Sequence, residues 1–195
     1  MKTLLGLLLI VITGFTSCEG RKSKNQALAE DIEEFKKTVS FAIDIYKPES
    51  YFEREVDTLL HNGFRVKIKT YTDLDNSVVL SKIKDTVNYQ THYRNFKFDI
   101  LVEKNGKQIF KESYNKEKAN SVFGYRDDFP SKSPLHNFHT LGVLQSIEVI
   151  DESALKNNVL IEVIYAIPTT DRFARHSLFI NSKGDMNMVI VKIQE

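Results

Sequence analysis

Alternating apolar and polar positions dominate the middle and the C-terminal part of the chain. Phe64, Val66 and Ile68 alternate with three basic residues, and a second alternation runs through residues 96–102. A period of two is typical of half-buried β-strands. Similar patterns predict further strands at residues 78–83, 143–150, 159–167, 177–180 and 188–193. Short strands joined by polar turns predict a mainly β fold, an antiparallel β-sandwich or a barrel-like variant.

Two Asn-Gly dipeptides mark turns between predicted strands. Asn105-Gly106 separates residues 96–104 from residues 108–114, and both residues tolerate the positive φ angles of a type I′ turn. The sequence therefore predicts a hairpin there. Asn62-Gly63 predicts a second hairpin that returns onto residues 56–60. The spacing of apolar residues in 52–59 also fits a short helix that ends at Gly63, and we favour the hairpin.

Residues 159–167 are apolar on both faces except at Glu162. Such a run is typical of a central strand that is covered on both sides. Glu162 is expected near the rim of the sheet, and a paired position inside the fold is the alternative.

One stretch near the N-terminus has a helical period. Its apolar residues recur every three or four positions, at Leu28, Ile32, Phe35, Val39, Ala42 and Tyr46. This spacing predicts one N-terminal amphipathic helix that ends before Pro48. We expect the apolar stripe to pack on the domain, and binding of a partner or of a membrane surface is the alternative.

The first 18 residues have the layout of a secretory signal. Lys2 precedes an apolar run at residues 4–12, and small residues lead to Cys18, the only cysteine of the chain. Thr16-Ser17-Cys18 resembles a lipobox, although Phe15 stands where Leu is usual. The resemblance implies acylation of Cys18 after removal of residues 1–17. The alternative is a buried thiol in a helix over residues 2–16, which would have an entirely apolar outer face at residues 4–12.

These boundaries give a signal peptide at 1–17, a lipid-anchored tether at 18–26 and a single mainly β domain at 27–195. Loss of Lys2 with the signal leaves 26 basic and 26 acidic residues, from 27 and 26 in the full chain. A neutral domain without a basic stripe is not typical of a nucleic-acid-binding protein. Acylation of Cys18 would also exclude disulfides and cysteine-based metal sites.

The longest stretch without periodicity, residues 115–140, is the candidate functional loop. It contains His136 and His139, with Asp127 upstream. The two histidines and the aspartate are a weak candidate metal site, because a structural zinc needs four ligands and a catalytic zinc needs three. Solvated or turn-capping histidines are the favoured interpretation, and no cofactor is expected.

No other motif of the chain predicts catalysis. The sequence lacks a Gly-x-Ser-x-Gly elbow, a Gly-rich phosphate loop and a His-Glu-x-x-His pair, so we assign no catalytic residue. Arg172 and Arg175, which follow Pro168 together with Asp171 and His176, could hold an anion. A solvated loop is the favoured interpretation.

The chain resembles the small outer-envelope lipoproteins of the Bacteroidetes that form domain-of-unknown-function families. The resemblance rests on the Thr16-Ser17-Cys18 box with its polar tether, on residues 93–111, and on the β-rich remainder that ends in residues 188–193. It implies a β-sandwich or related fold and a lipid anchor, and it supplies no catalytic residues. Members of that phylum also O-glycosylate Asp-Ser/Thr-apolar triplets, which the segments around Thr58 and Thr86 match.

We therefore expect a lipid-anchored envelope protein that serves as a non-catalytic binding or assembly module. Its partners would be the membrane, through the lipid on Cys18, and an envelope protein or small ligand. The tether at residues 19–22 is mostly basic, whereas surface-exported relatives carry acidic residues there. This difference favours the outer membrane with the domain facing the periplasm. The alternative is a periplasmic hydrolase or metal-dependent enzyme that uses residues 115–140.

Overall fold

The computed structural model describes residues 23–24, 28–32, 34, 41–84 and 87–194. The chain divides into two compact units. The smaller unit comprises Met1–Ala42 and Ile83–Asn88, and the larger comprises Ile43–Lys82 and Tyr89–Glu195. Cys18 and Thr86 lie outside the described residues, as do the predicted signal peptide and nearly all of the tether. No helix within the described ranges is long and apolar enough to cross a membrane.

In the smaller unit, residues 28–32 and 34 are helical, as the sequence predicted. The predicted helix does not extend to Tyr46, because Phe41–Lys47 forms the first strand, β1. Ala42 and Tyr46 fit a helical stripe by spacing alone. The segment is instead rich in aromatic and β-branched residues that favour an extended backbone, and pairing with a neighbouring strand satisfies that backbone.

The first sheet follows the order β1-β4-β3-β2, and β5 pairs with β4. Its further strands are β2 at Glu53–Leu59, β3 at Phe64–Lys84, β4 at Val87–Lys104 and β5 at Lys107–Tyr114. Both predicted hairpins are confirmed. β2 pairs antiparallel with β3 across Gly63, and β4 pairs antiparallel with β5 across Asn105-Gly106. Asn105 and Gly106 have φ angles of 52° and 75°, as a type I′ turn requires.

The second sheet is an antiparallel meander in the order β6-β7-β8-β9. Its strands are Val143–Ile150, Asn158–Ala166, Phe173–Asn181 and Met186–Gln194. The predicted central strand is β7, which pairs with β6 and β8. Glu162 lies on its half-buried outer face, 3.9 Å from Arg175, rather than at the rim. The prediction that both faces are fully covered is wrong for this part of β7.

One buried apolar cluster joins the inner faces of the two sheets. Phe64, Phe98 and Ile100 of the first sheet belong to the same core as Ile161 and Leu178 of the second. Each of these side chains is fully buried. The predicted mainly β, sandwich-like architecture is therefore confirmed, with the core between two sheets.

The stretch at 115–140 is more ordered than its sequence suggested, because it contains two helices. α1 spans Lys116–Phe123 and α2 spans Phe138–Leu141. The Asn115 side chain accepts a hydrogen bond from the Lys118 backbone N–H, and Gly124 ends α1 in a left-handed conformation. These two caps bracket a helix that has too few apolar residues to be recognised by periodicity.

Candidate functional site

The predicted loop residues do not form a common site. The His136 ring donates from Nδ1 to the Phe129 carbonyl oxygen at 2.8 Å, and Asp127 is exposed. His139 lies in α2, and its Nδ1 is buried without a partner among the described residues. Within those residues, no group of three His, Cys, Asp or Glu side chains is arranged to hold a metal ion.

The two arginines after Pro168 do not form an anion clamp. The Arg172 guanidinium donates to the carbonyl oxygens of Pro134 and His136 at 2.9 and 2.8 Å, so it fastens a neighbouring loop. Arg175 lies in β8 on the outer face of the sheet, near Glu162. The favoured solvated-loop interpretation is also wrong for His176, which lies in β8 and is completely buried.

Of the two predicted glycosylation positions, only Thr58 is described. It lies in β2, the last strand of the first sheet in the pairing order, opposite Val66 of β3. The preceding Asp57 accepts two hydrogen bonds from the Arg65 guanidinium, at 2.8 and 2.7 Å. Those contacts occupy the carboxylate of this triplet. The Thr58 side chain is half-buried.

A polar cleft lies where β3 and β4 meet α1, and we call it the amide cleft. It has a volume of about 390 Å³ and is lined by Asp73, Asn76, Asn95, Lys97, Asn115, Lys116, Glu117 and Asn120. β3 supplies the first two residues and β4 supplies the next two from one strand face. Asn115 caps α1, and α1 supplies the last three residues. The packing of these two strands and the helix thus brings together residues that are far apart in the sequence.

Asp73 is the anchor of the amide cleft, and it is only 2% exposed. Its carboxylate accepts hydrogen bonds from the Asp75 backbone N–H at 3.1 Å and from Asn76 Nδ2 at 3.0 Å. Lys97 Nζ lies 3.2 Å from Asp73 Oδ1. Burial raises the pKa of Asp73, but the hydrogen bonds from Asn76 and Asp75 and the contact with Lys97 outweigh it, so the pKa is below its usual value. Asp73 is therefore ionised and holds Lys97 in place.

Two amide oxygens of the cleft lack partners. Asn95 is only 7% exposed, and its Oδ1 finds no hydrogen-bond partner among the described residues. Asn120 Nδ2 donates to the His139 carbonyl oxygen at 2.8 Å, which fixes the orientation of the amide because a carbonyl can only accept. The buried Asn120 Oδ1 is then left without a partner in the described part of the chain. Unpartnered buried acceptors are costly, so they are candidate ligand contacts.

Lys116 closes the amide cleft on the side of α2. Its Nζ donates to the carbonyl oxygens of Phe138, the first residue of α2, and of Gly142, which follows the helix. Burial lowers the pKa of Lys116 to about 8, because desolvation disfavours the ammonium form. The amine is thus held by backbone carbonyls rather than by a carboxylate.

A second polar compartment adjoins the amide cleft and has a volume of about 550 Å³. The two share Lys97, Asn115 and Glu117, and the second compartment adds Tyr71 and Ser113 among its lining residues. Lys97 therefore lines both compartments, and its charge is balanced by Asp73.

Two other arrangements in the larger unit are less suited to a ligand. His92 lies between Asp44, at 2.9 Å from Nε2, and Ser77, at 3.4 Å from Nδ1. This is the residue set of a hydrolase, but the serine contact exceeds the usual nucleophile–base range of about 2.6–3.2 Å. The Tyr46 ring also stacks on the imidazole at 4.5 Å, so the group joins three strands. An apolar groove of about 180 Å³ near Phe52 and Leu144 is smaller than the amide cleft.

The buried Tyr125–His176 pair belongs to the core. His176 is completely buried, and the rings of Phe123 and Tyr165 lie against this pair. Neither residue lines any of the clefts described above, so we assign the pair a role in stability.

Comparisons with known proteins add no family to this picture. No protein-family model matches the chain, and no curated protein matches it significantly. The candidate site therefore rests on its own geometry. Sequence reasoning missed it because none of its residues forms a motif, and the only local signal was the Asn115 and Gly124 pair that caps α1.

Proposed function

We propose that this protein is a lipid-anchored envelope protein that binds a small polar ligand in the amide cleft without catalysis. The ion pair between the buried Asp73 and the half-buried Lys97 carries the binding part of the proposal. Asp73 already receives three contacts, from Asp75, Asn76 and Lys97, whereas Lys97 Nζ keeps donors for a ligand. Together with the unpartnered oxygens of Asn95 and Asn120, this pair forms a site with both donors and acceptors.

The anchoring part of the proposal is supported by the sequence at the N-terminus. An apolar run at residues 4–12 precedes Thr16-Ser17-Cys18, and a polar tether follows. Acyl chains on Cys18 would hold the domain close to the membrane and raise its local concentration there. The mostly basic tether supports a position on the outer membrane, facing the periplasm.

Metabolic labelling with an alkyne fatty acid tests the anchor. We expect label on the wild-type protein and on Ser17→Ala, since alanine is also small, and none on Cys18→Ser. The Cys18→Ser protein should leave the membrane fraction or keep residues 1–17. An unmodified Cys18 in the intact mass of protein taken from native membranes would contradict the anchor.

Native mass spectrometry of the membrane-extracted protein tests ligand binding. We expect a co-purified small molecule on the wild type and on Lys107→Met, because Lys107 lies at the exposed β4–β5 turn. The molecule should be lost from Lys97→Met, which removes the central donor of the cleft. Equal occupancy of the three proteins would show that the amide cleft is not the binding site.

The enzymatic alternative receives no support from the loop geometry. His136 is bonded to the Phe129 carbonyl, and the described residues assemble no three-ligand group around His136, His139 and Asp127.

A further inference from the structure

We propose that the ligand of the amide cleft is a neutral saccharide of one or two sugar rings. This inference rests on the proposed binding function and adds the chemical class of the ligand. It follows from the balance of donors, acceptors and charges in the cleft, taken one at a time below.

The acceptors of the cleft call for a ligand with several donors. Asn95 Oδ1 and Asn120 Oδ1 are buried and unpartnered within the described residues. Each can accept a hydrogen bond and neither can donate one. Lys97 Nζ is a donor that needs an acceptor on the ligand. A hydroxyl group donates and accepts at once, so adjacent hydroxyls of a sugar ring satisfy both kinds of partner.

The charges of the cleft disfavour an ionic ligand. Lys97 is neutralised by Asp73, whose carboxylate also receives hydrogen bonds from Asp75 and Asn76 of the same strand. Lys116 is held by the carbonyl oxygens of Phe138 and Gly142. Glu117 also lines the cleft, so two carboxylates stand beside two lysines and their formal charges cancel. An anion would therefore meet two carboxylates and unpaired amide oxygens, whereas a cation would meet two lysines. Either ion would lose hydration without a full counter-charge.

The size and the surroundings of the cleft also fit a saccharide. Its volume of about 390 Å³ lies within the range of about 300–1,000 Å³ that is common for ligand pockets. The adjoining compartment carries the Tyr71 ring and the Ser113 hydroxyl. An aromatic side chain next to hydrogen-bonding groups provides an apolar surface for the C–H face of a second ring.

Calorimetric titration of the full chain tests this inference, in a detergent without a sugar headgroup. The probes are cellobiose, maltose and chitobiose as neutral disaccharides, with glucuronate and glucosamine as charged sugars. We expect at least one neutral disaccharide to bind with a dissociation constant below about 1 mM, and the charged sugars to bind at least about tenfold more weakly. Lys97→Met should weaken binding at least about tenfold, and Lys107→Met should leave it unchanged.

Two results would overturn the saccharide class. One is the absence of saturable binding for every neutral probe up to about 10 mM. The other is binding of glucuronate or glucosamine as tight as that of the neutral sugars. If a co-purified peptide or anion is also lost from Lys97→Met, the cleft binds a ligand but the saccharide assignment is wrong. If no ligand depends on Lys97, the proposed binding function itself fails.

Discussion

The Tyr125 hydroxyl lies 2.6 Å from His176 Nε2 in the centre of the larger unit. The two residues are 51 positions apart, one just after α1 and the other in β8. Burial lowers the pKa of His176 to about 4. The hydrogen bond therefore joins two neutral groups at neutral pH, and the pair is sensitive to acid.

This pair predicts a loss of stability at mildly acidic pH. The unfolded histidine has a pKa of about 6.5 and the folded one about 4, so between these values the unfolded state binds more protons. The free energy of unfolding should fall as the pH drops from 6.5 to 4, by about 3 kcal/mol in total. Urea denaturation at several pH values measures this slope.

The control for the acid effect is His176→Gln, which keeps a hydrogen-bonding partner for Tyr125 but does not titrate. Its unfolding free energy should change much less between pH 6.5 and 4.5 than that of the wild type. An equal slope in both proteins would assign the acid sensitivity to other groups.

A second prediction concerns the stability of the fold at Gly184, where two hairpins approach each other closely. Gly184 has a φ angle of +87°, and a Cβ there would overlap the backbone carbonyl oxygen of Ile109 in β5. A backbone atom cannot give way as a flexible side chain can, so Gly184→Ala should destabilise the fold by about 3 kcal/mol. Thermal or urea unfolding measures the loss.

Gly106→Ala is the matched control for Gly184→Ala. Gly106 has a similar φ angle of +75°, but a Cβ there would meet no atom within 4 Å. Only the backbone strain remains, at about 1–2 kcal/mol. Equal losses in the two variants would mean that the contact with Ile109 is unimportant.

Local patterns predicted the strands and turns because their signals lie close together in the sequence. Asn105-Gly106 marks its own hairpin, and the alternation through Phe64, Val66 and Ile68 marks its own strand. The same reasoning failed where one pattern fits two structures. Ala42 and Tyr46 fit a helical stripe but lie in β1, because pairing with a neighbouring strand decided the outcome.

The candidate site could not be predicted, because it is assembled by tertiary structure. Asp73 meets Lys97 only because β3 and β4 are neighbours in the first sheet. Asn120 joins them through α1, a short helix with too few apolar residues to be recognised by periodicity. His136 and His139 are close in sequence but form no common site. His136 contacts the Phe129 carbonyl oxygen, and His139 Nδ1 has no partner among the described residues. Proximity in sequence was therefore a poor guide to the chemistry of this chain.

A third prediction concerns the free energy of unfolding at alkaline pH and rests on Lys116. Its pKa is about 8 in the folded protein and about 10.5 in the unfolded chain. Between these values the unfolded state binds more protons, so the free energy of unfolding should rise as the pH increases from 8 to 9.5. Above pH 10 the tyrosines oppose this trend, because burial raises the pKa of Tyr114 to about 12 and those of Tyr125 and Tyr165 above the usual value.

Lys116→Met should remove the rise between pH 8 and 9.5, whereas Lys107→Met should retain it. Lys107 is exposed at the start of β5 and serves as the matched lysine. Urea denaturation at half-unit steps of pH gives the two slopes. A slope that survives in Lys116→Met would show that another group loses its proton in this range.

Asn95→Leu separates a binding role for the amide cleft from a structural one. Asn95 is 93% buried, and its Oδ1 has no partner among the described residues, so the amide lowers the stability of the unliganded fold. Leucine has the same branching at Cγ as asparagine, although it is larger, and it needs no hydrogen bond. We expect Asn95→Leu to raise the free energy of unfolding by about 1–2 kcal/mol and, at the same time, to weaken ligand binding at least about tenfold. Calorimetry of unfolding and of saccharide binding on the same preparation measures both.

A variant that is less stable than the wild type would mean that the Asn95 side chain supports the fold. A more stable variant with unchanged binding would remove Asn95 from the site, because a buried acceptor that contacts the ligand cannot be replaced by an apolar group without loss of affinity.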